Sequence, residues 1–161
     1  MDYKPENINA VNEKTVKDRN YYEKELKRIF KLESFKDTQW EVISKVINKE
    51  KVIFIEKTGY GKSLCYQFPA TQFEGTTIVF SPLIALMRDQ VNYLRSIGME
   101  AATINCEESD ECNNNTLLKA KENRLKILYI APERQENDKW IRTVFAEDSR
   151  IKISFLGLKQ V

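Results

Sequence analysis

The chain has 161 residues, with 26 Lys and Arg against 24 Asp and Glu, no His, and a formal net charge of +2. At 42% apolar and 31% charged residues it is no disordered polymer, and no apolar run nears the roughly 18 residues of a membrane helix. No basic segment followed by an apolar stretch opens the chain, so no secretory signal is expected. Cys65, Cys106 and Cys112 have no His to complete a mixed zinc site and read as free thiols of a reducing compartment. The near-zero net charge does not announce a nucleic-acid partner by itself.

Residues 1–14 are polar, contain Pro5, and read as a loose leader. Between Thr15 and Leu32, the residues Tyr22, Leu26, Ile29 and Phe30 recur at one face of a helix. Asp37 or Thr38 is placed to cap a second helix whose inner face carries Trp40, Ile43 and Ile47. Short apolar runs then alternate with longer helical stretches. Val52 to Ile55 predicts a strand, Lys62 to Gln72 a helix, and Thr77 to Phe80 a strand. Leu83, Leu86, Met87, Leu94 and Ile97 make a core-facing helix that Gly98 ends. Ala101 to Ile104 predicts a strand, Ser109 to Asn113 a polar loop and Thr116 to Glu122 a short helix. Ile127 to Ile130 predicts a strand, residues 134–146 a helix, and Ile151 to Leu156 a last strand. This alternation implies an α/β fold, a parallel sheet of about five strands covered on both faces. No linker or internal repeat divides residues 15–161, which read as one domain.

The strongest chemical signal is Glu56-Lys57-Thr58-Gly59-Tyr60-Gly61-Lys62-Ser63, between a predicted strand and a predicted helix. That context suits a phosphate-binding loop. Gly59 and Gly61 let backbone N–H groups turn inward toward phosphate oxygens. The helix N-terminus adds about half a positive charge. Lys62 supplies a full charge to the β and γ phosphates, and the Ser63 hydroxyl suits Mg²⁺, which prefers oxygen. Glu56 stands where the usual pattern begins with Gly. A carboxylate there is unhelpful unless it points away from the phosphates.

From Thr58 to Gln67 the segment resembles motif I of the RecQ family of DNA helicases, and Tyr60 between the two glycines is similar to the Werner-type branch. Phe35-Lys36-Asp37-Thr38-Gln39 resembles motif 0, in which a glutamine reads the adenine edge, a role the resemblance gives to Gln39. Ser81 to Gln90 resembles motif Ia, which lies along single-stranded DNA, and Tyr129-Ile130-Ala131-Pro132-Glu133-Arg134 resembles motif Ib. The likeness runs in order from about Tyr22 to Leu158. It implies a RecA-like lobe that uses ATP and Mg²⁺ and acts 3′ to 5′ on single-stranded or forked DNA, in a bacterial cytoplasm or a nucleus. It assigns Thr58, Gly59, Tyr60, Gly61, Lys62 and Ser63 to the nucleotide, Lys62 to catalysis, and Ser63 to Mg²⁺. It assigns Ser81, Pro82, Arg88, Gln90, Pro132, Glu133 and Arg134 to DNA. The bland alternatives are a surface helix for Gln39 and a plain helix start at Pro132-Glu133.

The family's Asp-Glu box is expected after the strand at 153–158. This sequence has Lys159, Gln160 and Val161 there. The chain therefore reads as a partial ATP-binding lobe, truncated before that box, from an ATP-dependent helicase. A nucleotide- and DNA-binding fragment without turnover is the alternative, and an unrelated small phosphate-loop kinase a more distant one.

Overall fold

The computed structural model describes residues 17–133 and 156–157. The chain divides into two units, Met1–Ser34 and Phe35–Val161. In the first, α1 spans Arg19–Phe30, with Tyr22, Leu26 and Phe30 buried. The Asp18 side chain accepts from the Tyr21 N–H at 2.9 Å, which satisfies one of the helix's orphan donors. Lys31 in the left-handed region, with φ of 60°, ends it.

The second unit holds α2 (Asp37–Ile47), α3 (Leu64–Gln72), β1 (Thr77–Phe80), α4 (Ile84–Ser96), β2 (Ala101–Ile104), α5 (Asp110–Lys121), β3 (Ile127–Ile130) and β4 (Leu156–Gly157). The sheet order is β2-β3-β1-β4, with every pairing parallel. This is the α/β class the sequence implies. β3 is buried on both faces, as a central parallel strand requires. Alternation divides it between two layers. Leu128 and Ile130 join Ile78, Ala102, Ile104, Leu117, Ala120 and Leu125 in one cluster with α5. Tyr129, of opposite parity, meets Tyr66 of α3.

α4 ends where Gly98 was expected to end it. Gly98 has φ of +83°. Its N–H bonds the Arg95 carbonyl at 3.0 Å and the Met99 N–H bonds that of Leu94 at 2.9 Å, a Schellman closure.

Several expectations are corrected. Residues 52–55 form no strand, and Ile53 and Ile55 are 92% and 77% exposed. An apolar run becomes a strand only by pairing its backbone with a neighbour, and among the described residues none lies beside it. The sheet therefore shows three of the five predicted strands in full, and β4 meets the last of them at Leu156. Residues 110–115 are helical rather than loop. The Ser109 side chain accepts from the Cys112 N–H, Asp110 and Glu111 occupy the first turn, and polar Asn113 is buried. α2 is entered from Lys36, so neither Asp37 nor Thr38 caps it. Its buried face is Gln39, Val42 and Ile43, while Trp40 and Ile47 are only partly covered. Trp40 stacks on Phe35 with ring centroids 5.6 Å apart. Met87 and Leu94 face inward as expected and Val91 joins them, whereas Leu83 precedes α4 and is 45% exposed. α3 starts at Leu64, two residues later than expected. The helix expected at 134–146 and most of the strand at 151–156 lie outside the described residues.

Candidate nucleotide site

The loop 56–63 leads from the apolar segment 52–55 to α3. Gly59 and Gly61 have φ of +83° and +92°, a region that side-chain-bearing residues avoid. After Gly61 the chain tightens: Leu64, Cys65 and Tyr66 N–H groups bond the carbonyls of Gly61, Lys62 and Ser63 three residues back. Among the described residues, the N–H groups of Gly59, Gly61, Lys62 and Ser63 take no backbone or side-chain acceptor. Four donors beside a nine-residue helix N-terminus match the chemistry of a polyphosphate. The Lys62 ammonium donates to the Glu56 carbonyl, so the cation folds back over its own loop. The Glu56 carboxylate accepts from the Lys57 N–H at 3.3 Å.

α2 supports this loop. Gln39 is 5% exposed, not a surface helix residue. Its Oε1 accepts from the Lys36 N–H at 2.9 Å and its Nε2 donates to the Gly61 carbonyl at 3.1 Å. A methyl placed on Gly61 would lie 2.6 Å from Gln39 Nε2, so the Gln39 amide would have to move for any other residue. The Lys36 ammonium donates to the Tyr60 carbonyl at 2.9 Å and sits 4.4 Å from the Tyr60 ring centroid. Thr38 shares a hydrogen bond with the Tyr60 hydroxyl. Motif 0 and motif I residues are therefore one hydrogen-bonded assembly. Thr58 is exposed, at the outer turn of the loop.

Of the expected DNA residues, Ser81 and Pro82 follow β1 and Pro132 and Glu133 follow β3, at the C-terminal ends of parallel strands, where open α/β sheets receive ligands, while Arg88 and Gln90 lie on α4. Ser81 follows β1 directly and is buried. Its N–H bonds the Ile130 carbonyl at 3.1 Å, and its hydroxyl accepts from the Leu83 N–H at 3.4 Å. Pro82 is exposed. Arg88 is half-exposed on α4 and pairs with Glu107 at 2.7 Å and Glu108 at 3.8 Å. Gln90 turns its Oε1 inward to Gln67 at 2.5 Å. Pro132 and Glu133 have helical backbone after β3, and Glu133 is exposed. Arg134 lies outside the described residues.

Sequence reasoning missed two polar groups here. Asn105, fully buried after β2, and Asn113 of α5 bond one another twice, at 3.3 and 2.9 Å, and fix the acidic loop that carries Glu107 and Glu108. The other is Tyr66, Gln67 and Tyr129. Burial pushes both phenols up from their ordinary range, and the Cys65 thiol beside them up to about 12. The only sequence signal was polar residues inside apolar elements.

Residues 36–153 match the family described as DEAD/DEAH box helicase. The ATP-dependent DNA helicase RecQ of Haemophilus influenzae is 37% identical over 135 residues, which are 84% of this chain and 21% of that protein. RecQ of Bacillus subtilis is 45% identical over 118 residues, 73% of this chain and 20% of that protein. A putative ATP-dependent DNA helicase of Caenorhabditis elegans is 39% identical over 135 residues, 83% of this chain and 21% of that protein. The chain thus spans about a fifth of the length of these curated relatives. Because the family match takes in the phosphate loop and every strand from β1 to β3, the chain belongs to the DEAD/DEAH box helicase family, in its RecQ branch.

Proposed function

We propose that this chain is the ATP-binding front of a DNA helicase motor that moves 3′ to 5′ along single-stranded or forked DNA, in the bacterial cytoplasm or the nucleus. The observation that supports it most is the Gly59–Ser63 loop: two left-handed glycines, four N–H groups without acceptors among the described residues, and Lys62, directly before α3. In this reading the N–H groups of Gly59, Gly61, Lys62 and Ser63 hold phosphate oxygens. Lys62 leaves the Glu56 carbonyl for the β and γ phosphates, and Ser63 Oγ is the protein's contribution to Mg²⁺. ATP, when bound, supplies the free energy of phosphoryl transfer to water. Tyr60 and Gln39 orient the base side. Ser81, Pro82, Arg88, Gln90, Pro132, Glu133 and Arg134 form the DNA edge.

The test is titration of a fluorescent ATP analogue into the wild-type chain and Lys62→Ala. Loss of one charge-assisted contact of about 1.5–3 kcal/mol weakens binding roughly 10- to 150-fold. Equal affinities remove the phosphate-loop reading. A second reading, nucleotide and DNA binding without turnover, is favoured by Lys159, which stands where the resemblance asks for Asp.

A further inference from the structure

Behind the phosphate loop, a line of polar side chains crosses the interior. Tyr66 and Gln67 lie on the first turn of α3, directly after Ser63. Tyr129 lies in β3 and Gln90 lies on α4, two residues beyond Arg88. Gln67 Nε2 donates to Gln90 Oε1 at 2.5 Å and to the Tyr129 hydroxyl at 3.4 Å, which spends both of its amide protons. The Tyr129 hydroxyl lies 3.2 Å from that of Tyr66. Tyr66, Gln67 and Tyr129 are 3%, 2% and 1% exposed.

Packing alone does not ask for these groups. Methionine fills the volume of glutamine, and phenylalanine that of tyrosine, without a polar atom to satisfy. What the polar set adds is direction. An apolar contact tolerates sliding, whereas hydrogen bonds hold one relative position of α3, β3 and α4. α3 begins at the nucleotide loop and α4 carries Arg88. These bonds give a displacement at one end of the line a direct route to the other.

We infer that Gln67 and Tyr129 are positioning residues that couple the phosphate loop to the DNA-facing side of α4, so that nucleotide occupancy changes affinity for single-stranded DNA. This rests on the function proposed above, and makes the inward-turned Gln90 a link between the two sites.

The test measures affinity of the full chain for a labelled oligo-dT by fluorescence anisotropy, without and with a saturating non-hydrolysable ATP analogue. The wild type shows a coupling factor of about 5- to 150-fold, and by linkage the oligonucleotide changes analogue affinity by the same factor. Gln67→Met and Tyr129→Phe bring both factors near 1, while each ligand measured alone binds within about 3-fold of wild type. A merely structural role predicts the reverse: lower melting temperature with the coupling factor kept. Tyr129→Phe removes a single oxygen, and it decides the question if Gln67→Met fails to fold. Coupling retained in Tyr129→Phe, or a wild-type factor of 1 with both ligands bound, overturns the inference alone. Absence of analogue binding by wild type overturns the inference together with the functional reading, and its signature is distinct.

Discussion

Gln39 Nε2 donates to the Gly61 carbonyl at 3.1 Å, across 22 residues of chain. Helix α2 and the glycine loop are thereby held together at a loop position where an added Cβ would displace the Gln39 amide. Gly61→Ala meets two costs, a φ of +92° and a Cβ 2.6 Å from Gln39 Nε2. Gly59→Ala meets only the first, since nothing lies within 4 Å of its Cβ. Strain of this kind costs about 1–3 kcal/mol. Both variants should lose melting temperature, and Gly61→Ala should lose more analogue affinity. Equal losses in the two would show that the approach of Gln39 is immaterial.

Gln39→Ala should narrow the preference for ATP over GTP, because a glutamine amide matches the donor and acceptor of adenine. Since Gln39 also braces Gly61, affinity for both nucleotides should fall. Competition by inorganic triphosphate reads the loop separately from the base. A fall in triphosphate affinity with an unchanged ATP-to-GTP ratio would restrict Gln39 to bracing.

The sequence discloses the glycine loop and the C-terminal end of α4, because each depends on neighbours in the chain, and three full strands through their apolar runs. Gly98, for instance, ends α4 with its own N–H on the carbonyl three residues back and the Met99 N–H on the one five back from it. What it conceals depends on distant partners. Val52–Ile55 has strand composition, yet a strand exists only beside another. Asn113 looks like loop because its polarity is visible and its partner Asn105 is not. Gln67 looks like a helix residue until Gln90 and Tyr129 are brought to it, 23 and 62 residues away.

Arg88 pairs with Glu107 and Glu108 on the same edge where phosphates are expected. Under the proposed function both carboxylates would compete with DNA for that guanidinium, and as a half-exposed pair they hold it weakly. Glu107→Gln with Glu108→Gln should raise affinity for oligo-dT, and Arg88→Ala should lower it. If Arg88 contacts one phosphate, its loss also reduces the slope of log affinity against log salt by about 0.7. An unchanged slope in Arg88→Ala would place the DNA path elsewhere.

Cys106 and Cys112 are exposed and Cys65 is buried. A thiol reagent should modify the first two in the native chain and Cys65 only on unfolding. Burial raises the Cys65 pKa from 9.0 to about 12, and raises those of Tyr66 and Tyr129 as well. Groups with raised folded-state pKa values keep their protons longer in the folded chain. Their contribution is present below the unfolded values, and is lost as pH rises from about 9 toward 12. Denaturant midpoints should fall across that window. Cys65→Ala should shorten the fall, and Tyr129→Phe should do so independently. A flat profile would mean that these groups ionise without unfolding.

The 161-residue polypeptide should bind ATP and release phosphate at close to the background rate. Hydrolysis by this chemistry needs an attacking water held in line and charge placed against the γ-phosphate. In the proposed function Lys62 is the group assigned to the second need. For the first, the resemblance asks for Asp and Glu after β4, and the sequence there reads Leu158-Lys159-Gln160. A cation in that position offers Mg²⁺ no ligand and water no acceptor. An arginine supplied from a facing lobe contributes about 10³–10⁵ in rate in related phosphate-loop systems, and the polypeptide assayed alone is not given one. Oligo-dT should not rescue turnover, because it supplies neither carboxylate nor arginine. Phosphate release is measured with Mg²⁺, ATP and oligo-dT, in wild type and Lys62→Ala. DNA-stimulated release that vanishes in Lys62→Ala would defeat the expectation. It would also direct the search for the carboxylate to exposed Glu133 beyond β3, with Glu133→Gln as the variant to make.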